Sequence, residues 1–403
     1  MGNMTERIVS PTGRGFLLLD AHPSGCFQSV ADMRAEVPAA AAEVEAARPV
    51  ALVIGSSAGY GLATTIAGLA RHGINGVGIA FERAPGRRTA TAGWYRTIAT
   101  SALATELGCD FSFVNADAFA DSTKDEVLDL IAKRFGGLDY LVYSVAAPRR
   151  TDPRTGLTHQ SVIKPLGKGH TTNTLEFDSD GGAVLREITA EPATDDEAAE
   201  TVRVMGGEDW SRWITALADR DLLRIGFRTV ALTYIGSSLT SAIYRDGTIG
   251  AAKQHLEQTV TELNERLEPL GGRALTSVNG AAVTQASTAI PGIALYVSLL
   301  RAVLGDRMQS PIEQSVRLWD QLTGATPYDL DDEGRLRLDR WELAPQTQAD
   351  LAERWRSATP ANITELADIG WFRAQFRGLY GFDVPGVDYQ QPVDPDLPWP
   401  GAA

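Results

Sequence analysis

Two side chains suited to acid catalysis at a developing oxyanion stand close together in this chain. They open and close the run Tyr244-Arg245-Asp246-Gly247-Thr248-Ile249-Gly250-Ala251-Ala252-Lys253. A phenol hydroxyl can hydrogen-bond an oxyanion or donate a proton to it. An ammonium nearby favours phenolate and so lowers the tyrosine pKa, and it can also hold ribose or phosphate oxygens of a nucleotide. In one continuous helix the Tyr-x8-Lys spacing would rise about 13.5 Å and put the two side chains on opposite faces. Asp246-Gly247 is a turn dipeptide, however. Thr248 is expected to cap a helix that begins near Ile249 and runs toward Leu267, stopped by Pro269. Tyr244, held before the turn, could then fold back beside Lys253. The same residues also read as a packing tyrosine and a surface lysine, and the spacing alone does not separate the two readings.

A second group of residues points to a nucleotide. The apolar run Val50 to Ile54 reads as a fully buried strand. It leads into Gly55-Ser56-Ser57-Ala58-Gly59-Tyr60-Gly61 and then a helix from Leu62 to Arg71. Glycine lets the backbone turn tightly and approach a pyrophosphate, and the helix N-terminus offers free N–H groups to it. Glu82 ends the second strand, where a carboxylate can accept hydrogen bonds from ribose hydroxyls and repel a 2′-phosphate. Arg83 follows directly and can accommodate that phosphate, but the balance favours NADH over NADPH. Asp117, past the third strand, reads equally as a contact to the adenine edge or as a helix N-cap.

The elements needed to position these residues are strands and helices in alternation, the pattern of a doubly wound parallel sheet. Further strands are expected at Gly76 to Phe81, Phe111 to Val114, Asp139 to Val145, Arg228 to Tyr234 and Ala274 to Val278. Helices are expected around Thr100 to Leu107, over Lys124 to Phe135 with a stop at Gly136-Gly137, and between Ile290 and Leu304. The fold expected is one enlarged Rossmann-like α/β domain over 1–403. Within it, 48–146 forms the dinucleotide-binding core and 147–227 an insertion that includes an exposed acidic helix, Asp195 to Val204. The catalytic and substrate region is 228–310. Residues 311–403 form a Trp-rich C-terminal elaboration whose last stretch, Val384 to Ala403, wraps the surface as irregular chain.

The net charge of -14 argues against a nucleic-acid partner or a polybasic membrane mode. No apolar run reaches the roughly 18 to 20 residues of a membrane span. With only Cys26 and Cys109 and no signal-peptide pattern, a reducing cytoplasm is the expected location. His22, His72, His159, His170 and His255 show no metal-ligand spacing, so no metal is expected.

Several longer segments make the chain resemble the FabV-type trans-2-enoyl-CoA / enoyl-ACP reductases nearly end to end. They are Arg14-Gly15-Phe16, Ala21 to Cys26, Gly55 to Leu62, Phe81-Glu82-Arg83, Ser144 to Arg150, Val204 to Trp210 and Tyr244 to Lys253. Val283 to Ser287 with Ala289-Ile290-Pro291, Gly381-Phe382 and Gly386 to Tyr389 complete the set. The resemblance implies an enlarged short-chain-dehydrogenase-like fold and a monomeric oxidoreductase of lipid metabolism and fatty acid biosynthesis. The reaction it implies is NADH-dependent reduction of the C2=C3 bond of an enoyl-CoA or enoyl-acyl-carrier-protein thioester. By resemblance the catalytic pair is Tyr244 and Lys253, and Tyr234 contacts substrate. Cofactor contacts fall on Gly55, Ser56, Ser57, Ala58, Gly59, Tyr60, Phe81, Glu82, Asp117, Ala118, Val145, Ala146, Lys253, Ala282, Val283 and Thr284. The chain departs from the family pattern at Gln254, where a second lysine is usual. It also departs at Ala116, where glycine is usual, and at Gly292-Ile293-Ala294, a change that bears on acyl chain length. A ketoreductase of the short-chain type is disfavoured because its Tyr-x3-Lys would need lysine where Thr248 stands. A non-catalytic dinucleotide sensor is disfavoured by retention of Tyr244, Lys253 and the cofactor turn. No second nucleotide fingerprint supports a flavin.

Overall fold

The structure, a computed structural model, describes residues 6–14, 17–39, 48–177, 182–285 and 290–401. Gly15, Phe16, Ala286, Ser287 and Ala289 of the segments named above lie outside the described residues. The N-terminal half contains β1 (Gly13–Arg14), β2 (Leu17–Leu18), α1 (Pro23–Glu36), β3 (Val50–Ile54), α2 (Gly59–His72), β4 (Asn75–Ala80), α3 (Ala92–Glu106), β5 (Phe111–Asn115), α4 (Asp121–Phe135) and β6 (Leu138–Tyr143). Next come β7 (Arg149–Thr151), β8 (Thr158–Gln160), β9 (His170–Phe177), β10 (Ala183–Ala190), α5 (Asp195–Met205) and α6 (Glu208–Asp219). The remainder is β11 (Leu223–Thr233), α7 (Thr248–Leu267), β12 (Arg273–Val278), α8 (Ile293–Leu304), α9 (Pro311–Leu322), β13 (Leu336–Arg337), α10 (Pro345–Ser357), α11 (Ile363–Leu366) and α12 (Ile369–Gly378).

Seven strands make one parallel sheet in the order β13-β12-β11-β6-β3-β4-β5. All five residues of β3 are buried, as expected of a strand covered on both faces. The strand order reverses between β3 and β6, and in open α/β sheets ligands bind outside the carboxyl ends of the strands at such a point. On one face α2 and α9 pack together, with the Trp319 indole donating to the Thr64 carbonyl at 2.7 Å. On the other, Trp210, Trp213 and Leu263 of α6 and α7 cover the sheet. A separate apolar cluster surrounds α8 and takes in Leu351, Phe372 and Phe376 from the C-terminal helices.

The helix expected at Thr100 to Leu107 begins earlier, at Ala92. The region from Ala147 to Arg228, which shows no clear βα alternation in sequence, holds two antiparallel hairpins, β7–β8 and β9–β10, before α5 and α6. Helix α5 starts where the acidic run begins because Thr194 and Glu197 form a capping box. The long final stretch has no regular element after α12 and is pinned by side chains. Trp94 donates to the Leu397 carbonyl at 2.9 Å, Tyr95 to that of Pro395 at 2.6 Å, and Trp399 to that of Phe113 at 3.0 Å.

Candidate active site

The dinucleotide turn sits at the switch point. Gly55 has φ +88°, and a Cβ there would stand 1.9 Å from the Ser144 carbonyl at the end of β6, so only glycine lets the two strand ends approach this closely. Ser56 is buried and donates to the Ile79 carbonyl at 3.2 Å, which makes it a support of the turn. Ala58 is the N-cap of α2 and has no side-chain oxygen to satisfy the first N–H groups. Those donors and the positive end of the helix dipole therefore face the crevice, as a pyrophosphate requires. Thr284 reaches the turn from across the sheet: its Cγ2 would lie 3.6 Å from a Cβ on Gly59.

Glu82 is fixed more tightly than its place after β4 suggests. Its backbone N–H donates to Asn115 Oδ1 at 2.7 Å, and Asn115 Nδ2 returns a bond to its carbonyl at 3.0 Å. Its carboxylate accepts from Ser57 at 2.6 Å and from Thr91, and lies over Gly93 in the first turn of α3. Asn115 and Thr91 were not singled out from the sequence; their role depends on a strand end and a helix start meeting in space. Phe81 beside it is 78% exposed, an apolar ring open to solvent just past the end of β4. Asp117 is not a helix cap, since Ala120 occupies that position; its Oδ1 accepts from the Phe119 N–H at 2.9 Å within a turn. Ala118 and Val145 pack against the core edge, while Ala146 is exposed.

The tyrosine–lysine run folds as a turn followed by a helix. Tyr244 lies in a turn that closes through its N–H on the Thr240 carbonyl at 3.1 Å. Gly250 makes the fold-back possible, because a Cβ there would stand 2.1 Å from the Arg245 carbonyl and 2.3 Å from that of Tyr244. Thr248 is not the cap of α7. Gly247 occupies that position, and the Thr248 hydroxyl instead donates to the Val162 carbonyl at 2.6 Å and accepts from the Lys164 N–H at 3.3 Å. Val162 and Lys164 thus lock the start of α7.

The electrostatics correct one expectation. Burial, followed by the Glu342 carboxylate, pushes the Tyr244 phenol far above its ordinary value, and Lys253 is not among the groups acting on it. Tyr244 is therefore a neutral phenol with its proton in place. Burial pushes Lys253 down to about 8, with Glu257 opposing. Gln254, the departure beside it, is exposed on the helix.

Tyr234 stands past the end of β11, with its ring edge-on to Tyr244 at 4.7 Å between centroids. Its hydroxyl donates to Glu342 Oε1 at 2.8 Å, and that of Tyr296 donates to the same oxygen at 2.7 Å. Glu342 Oε2 accepts from the Ala281 N–H at 2.5 Å. The Gly280 N–H donates to Gln314 at 2.8 Å, and Tyr60 of α2 donates to the Gly280 carbonyl. One loop, Asn279 to Thr284, is thereby tied to the dinucleotide turn on one side and to the tyrosine cluster on the other. Tyr296 in α8 is fully buried, so the Gly292-Ile293-Ala294 departure leads into a helix anchored by that tyrosine.

Residues 88–323 match the family model for the trans-2-enoyl-CoA reductase catalytic region, and residues 8–87 match its NAD(P)H binding domain. The chain belongs to the trans-2-enoyl-CoA reductase family. It is 71% identical over 392 residues to an enoyl-[acyl-carrier-protein] reductase [NADH] of Streptomyces avermitilis, a match covering 97% of this chain and 100% of that one. The crystal structure of Treponema denticola trans-2-enoyl-CoA reductase in complex with NAD superposes with a TM-score of 0.87 at 39% identity, over 96% of this chain and 98% of that chain. A Clostridium trans-2-enoyl-CoA reductase in complex with NADH gives 0.89 at 34% identity, over 97% and 98%. Among the described residues, no helix is long and apolar enough to cross a membrane.

Residues 330–393 match a family model described as an enoyl reductase FAD binding domain. They do not fit a flavin. The first turn of α12 is closed by its own Asp368, and α10 opens on Pro345 with no glycine turn before it. Leu336, Leu338, Leu351, Ile363, Phe372, Phe376 and Phe382 are spent in packing.

Other shared segments are structural. Within Val204 to Trp210, Asp209 is buried in an ion pair with Lys124 at 2.8 Å, and Trp210 donates to Thr229 at 2.8 Å. In Ala21 to Cys26, His22 caps α1 and packs edge-on against Tyr389 at 4.8 Å. Arg150 is buried, donating to the Arg203 carbonyl at 2.7 Å and to Glu208 at 3.2 Å.

Proposed function

We propose that this enzyme reduces 2-enoyl thioesters with Tyr244 as the acid, Lys253 as a cofactor-orienting cation and Tyr234 as a wall of the substrate cleft. NADH, when bound, supplies the hydride that adds to Cβ. The turn Gly55 to Tyr60 holds the pyrophosphate, Glu82 takes the adenosine ribose hydroxyls, and Phe81, Asp117 and Ala118 flank the adenine. Val145, Ala146 and Ala282 to Thr284 border the nicotinamide end, and Lys253 holds the ribose beside it.

Negative charge then builds on the thioester oxygen. Tyr244 hydrogen-bonds that oxygen and passes it a proton, which its raised pKa allows it to keep until then; the enol then gives up its hydroxyl proton as Cα takes one from water, leaving the saturated thioester, and the Tyr244 phenolate regains its proton from solvent. The observation that carries this reading is the loop Asn279 to Thr284, which fastens the cofactor turn to the tyrosine cluster. We further place the protein in the cytoplasm as a monomer. Cys26 and Cys109, both buried and unpaired, suit a reducing compartment, and light scattering tests the monomer.

The test of function is NADH oxidation followed at its absorbance band with crotonyl-CoA. Turnover is the expected result, and no turnover with any enoyl-CoA or enoyl-carrier-protein substrate would refute it. Kinetics with matched CoA and carrier-protein thioesters identify the natural carrier.

A further inference from the structure

Glu342 is fully buried, yet among the described residues no cation pairs with it: the leading influences on its carboxyl are burial, three hydrogen bonds and the Asp339 charge. A buried carboxylate without a cation is costly, so its presence calls for a reason beyond packing. The turn that carries it is well braced. Its N–H donates to the Asp339 carbonyl at 3.0 Å, and Gln348 donates to its carbonyl at 2.8 Å. Asp339 is itself held by Arg337 at 2.7 Å.

A carboxylate accepts hydrogen bonds and donates none. Both Tyr234 and Tyr296 must therefore spend their hydroxyl protons on Glu342. Tyr60 spends its proton on the Gly280 carbonyl. Of the four tyrosines gathered here, Tyr244 is the one whose hydroxyl makes no hydrogen bond among the described residues.

We propose that Glu342 is a positioning residue for the reduction. It takes the hydroxyl protons of Tyr234 and Tyr296, fixes the Tyr234 ring edge-on to Tyr244, and leaves Tyr244 as the tyrosine with a proton free for substrate. This rests on the functional reading above. It assigns the donor by exclusion, through the polarity of the hydroxyl network. The Tyr234 oxygen keeps lone pairs for the cleft but no proton. The titratable groups facing Glu342 are Tyr60 from α2, Tyr234 after β11, Tyr244 before α7, Tyr296 from α8 and Asp339 on its own turn.

The test is Glu342→Gln in the full-length protein. An amide cannot present acceptors to all three donors: with its oxygen toward the two tyrosines its NH2 meets the Ala281 N–H, and reversed it meets both hydroxyl protons, so the network rearranges in either orientation and Tyr234 loosens. Misplacement of a catalytic group on this scale costs about 10- to 100-fold in kcat. The expected result is that loss in kcat, with NADH binding by fluorescence and KM for crotonyl-CoA each within about threefold of wild type. Tyr234→Phe and Glu342→Gln should also combine non-additively, since they break one connection.

Burial holds the Glu342 carboxyl up at about 7, so wild-type kcat should fall as pH drops through that value, and the fall should vanish in Glu342→Gln. A folded Glu342→Gln protein with full kcat overturns the proposal. So does a parallel loss of NADH binding and turnover, which marks general damage. If Glu342→Gln does not fold, Tyr296→Phe serves instead. Removing one donor to the anion should move the acid limb of kcat to higher pH, and an unmoved limb overturns the proposal. An inactive wild type takes the functional reading down as well, whereas an active wild type with an unimpaired variant takes down the proposal alone.

Discussion

Gly93→Ala probes the proposed cofactor cradle without substituting any residue assigned to the cofactor. An alanine Cβ at this position would stand 2.0 Å from Glu82 Oε1 and 2.4 Å from Cδ, well inside contact distance. Helix α3 itself favours the change, since Ala is better than Gly in a helix by about 0.8–1.0 kcal/mol. The cheapest response is for the carboxylate to swing away, breaking its bonds from Ser57 and Thr91. Hydrogen bonds to a charged group are worth about 1.5–3 kcal/mol each. Glu82 is only half-buried, so about 1 kcal/mol apiece is the fairer figure. The net cost to folding is then near 1 kcal/mol, while the ribose ligand is lost. KM for NADH should rise about tenfold, the equivalent of 1.4 kcal/mol. The preference for NADH over NADPH should narrow, with kcat at saturating NADH within about twofold of wild type. Adding Gly93→Ala to Glu82→Ala should change KM little, because the clash has gone. Steady-state kinetics with both cofactors, paired with a thermal melt, read these outcomes. An unchanged KM for NADH in a folded Gly93→Ala protein would show that Glu82 is not the ribose ligand.

Tyr244→Phe should lower kcat by about 10² or more while NADH still binds; normal turnover removes the acid assignment. Lys253 sits at about 8 in the folded protein against an ordinary 10.5, so its charged form is disfavoured by folding. The resulting penalty is present in full below pH 8 and fades as pH rises from 8 to 10.5. Lys253→Met should therefore raise cofactor-free stability at pH 7 by of order 1–3 kcal/mol and bring little gain at pH 10, read by urea titration at both pH values. Lys124→Met leaves Asp209 buried and unpaired and should cost about 3–5 kcal/mol, while adding Asp209→Leu should restore much of it. If the single and double variants melt alike, the pair is not a coupled buried bridge.

What was readable in the sequence is what depends on neighbours along the chain. The strand–glycine–helix run at Val50 to Arg71 carries its own turn chemistry. Asp246-Gly247 likewise announced the break that separates Tyr244 from Lys253. Hairpin β9–β10 was not readable, because Leu175 is its one fully buried residue among those described and its Thr-rich face lacks apolar alternation. Thr91 and Asn115 hold Glu82 from separate elements, and no local spacing connects them. Glu342 lies 108 positions from Tyr234. The single hint was an acid set between the apolar residues Trp341 and Leu343. The sequence also misled in one respect: Tyr244 and Lys253 suggested an ammonium-activated phenolate, whereas burial and Glu342 act in the opposite direction.

The irregular C-terminal strap has a consequence for synthesis. Trp94 and Leu397 are 303 positions apart, and Tyr95, which accepts from the Ala90 N–H at 3.0 Å, donates to Pro395 beside that contact. The segment so braced includes Thr91, which grips Glu82. On the ribosome, the ribose end of the cofactor pocket thus waits for residues translated three hundred codons later. A nascent chain can close the glycine turn at Val50 to Leu62 from neighbouring residues, but the bracing of the Thr91 segment is complete only when the strap arrives.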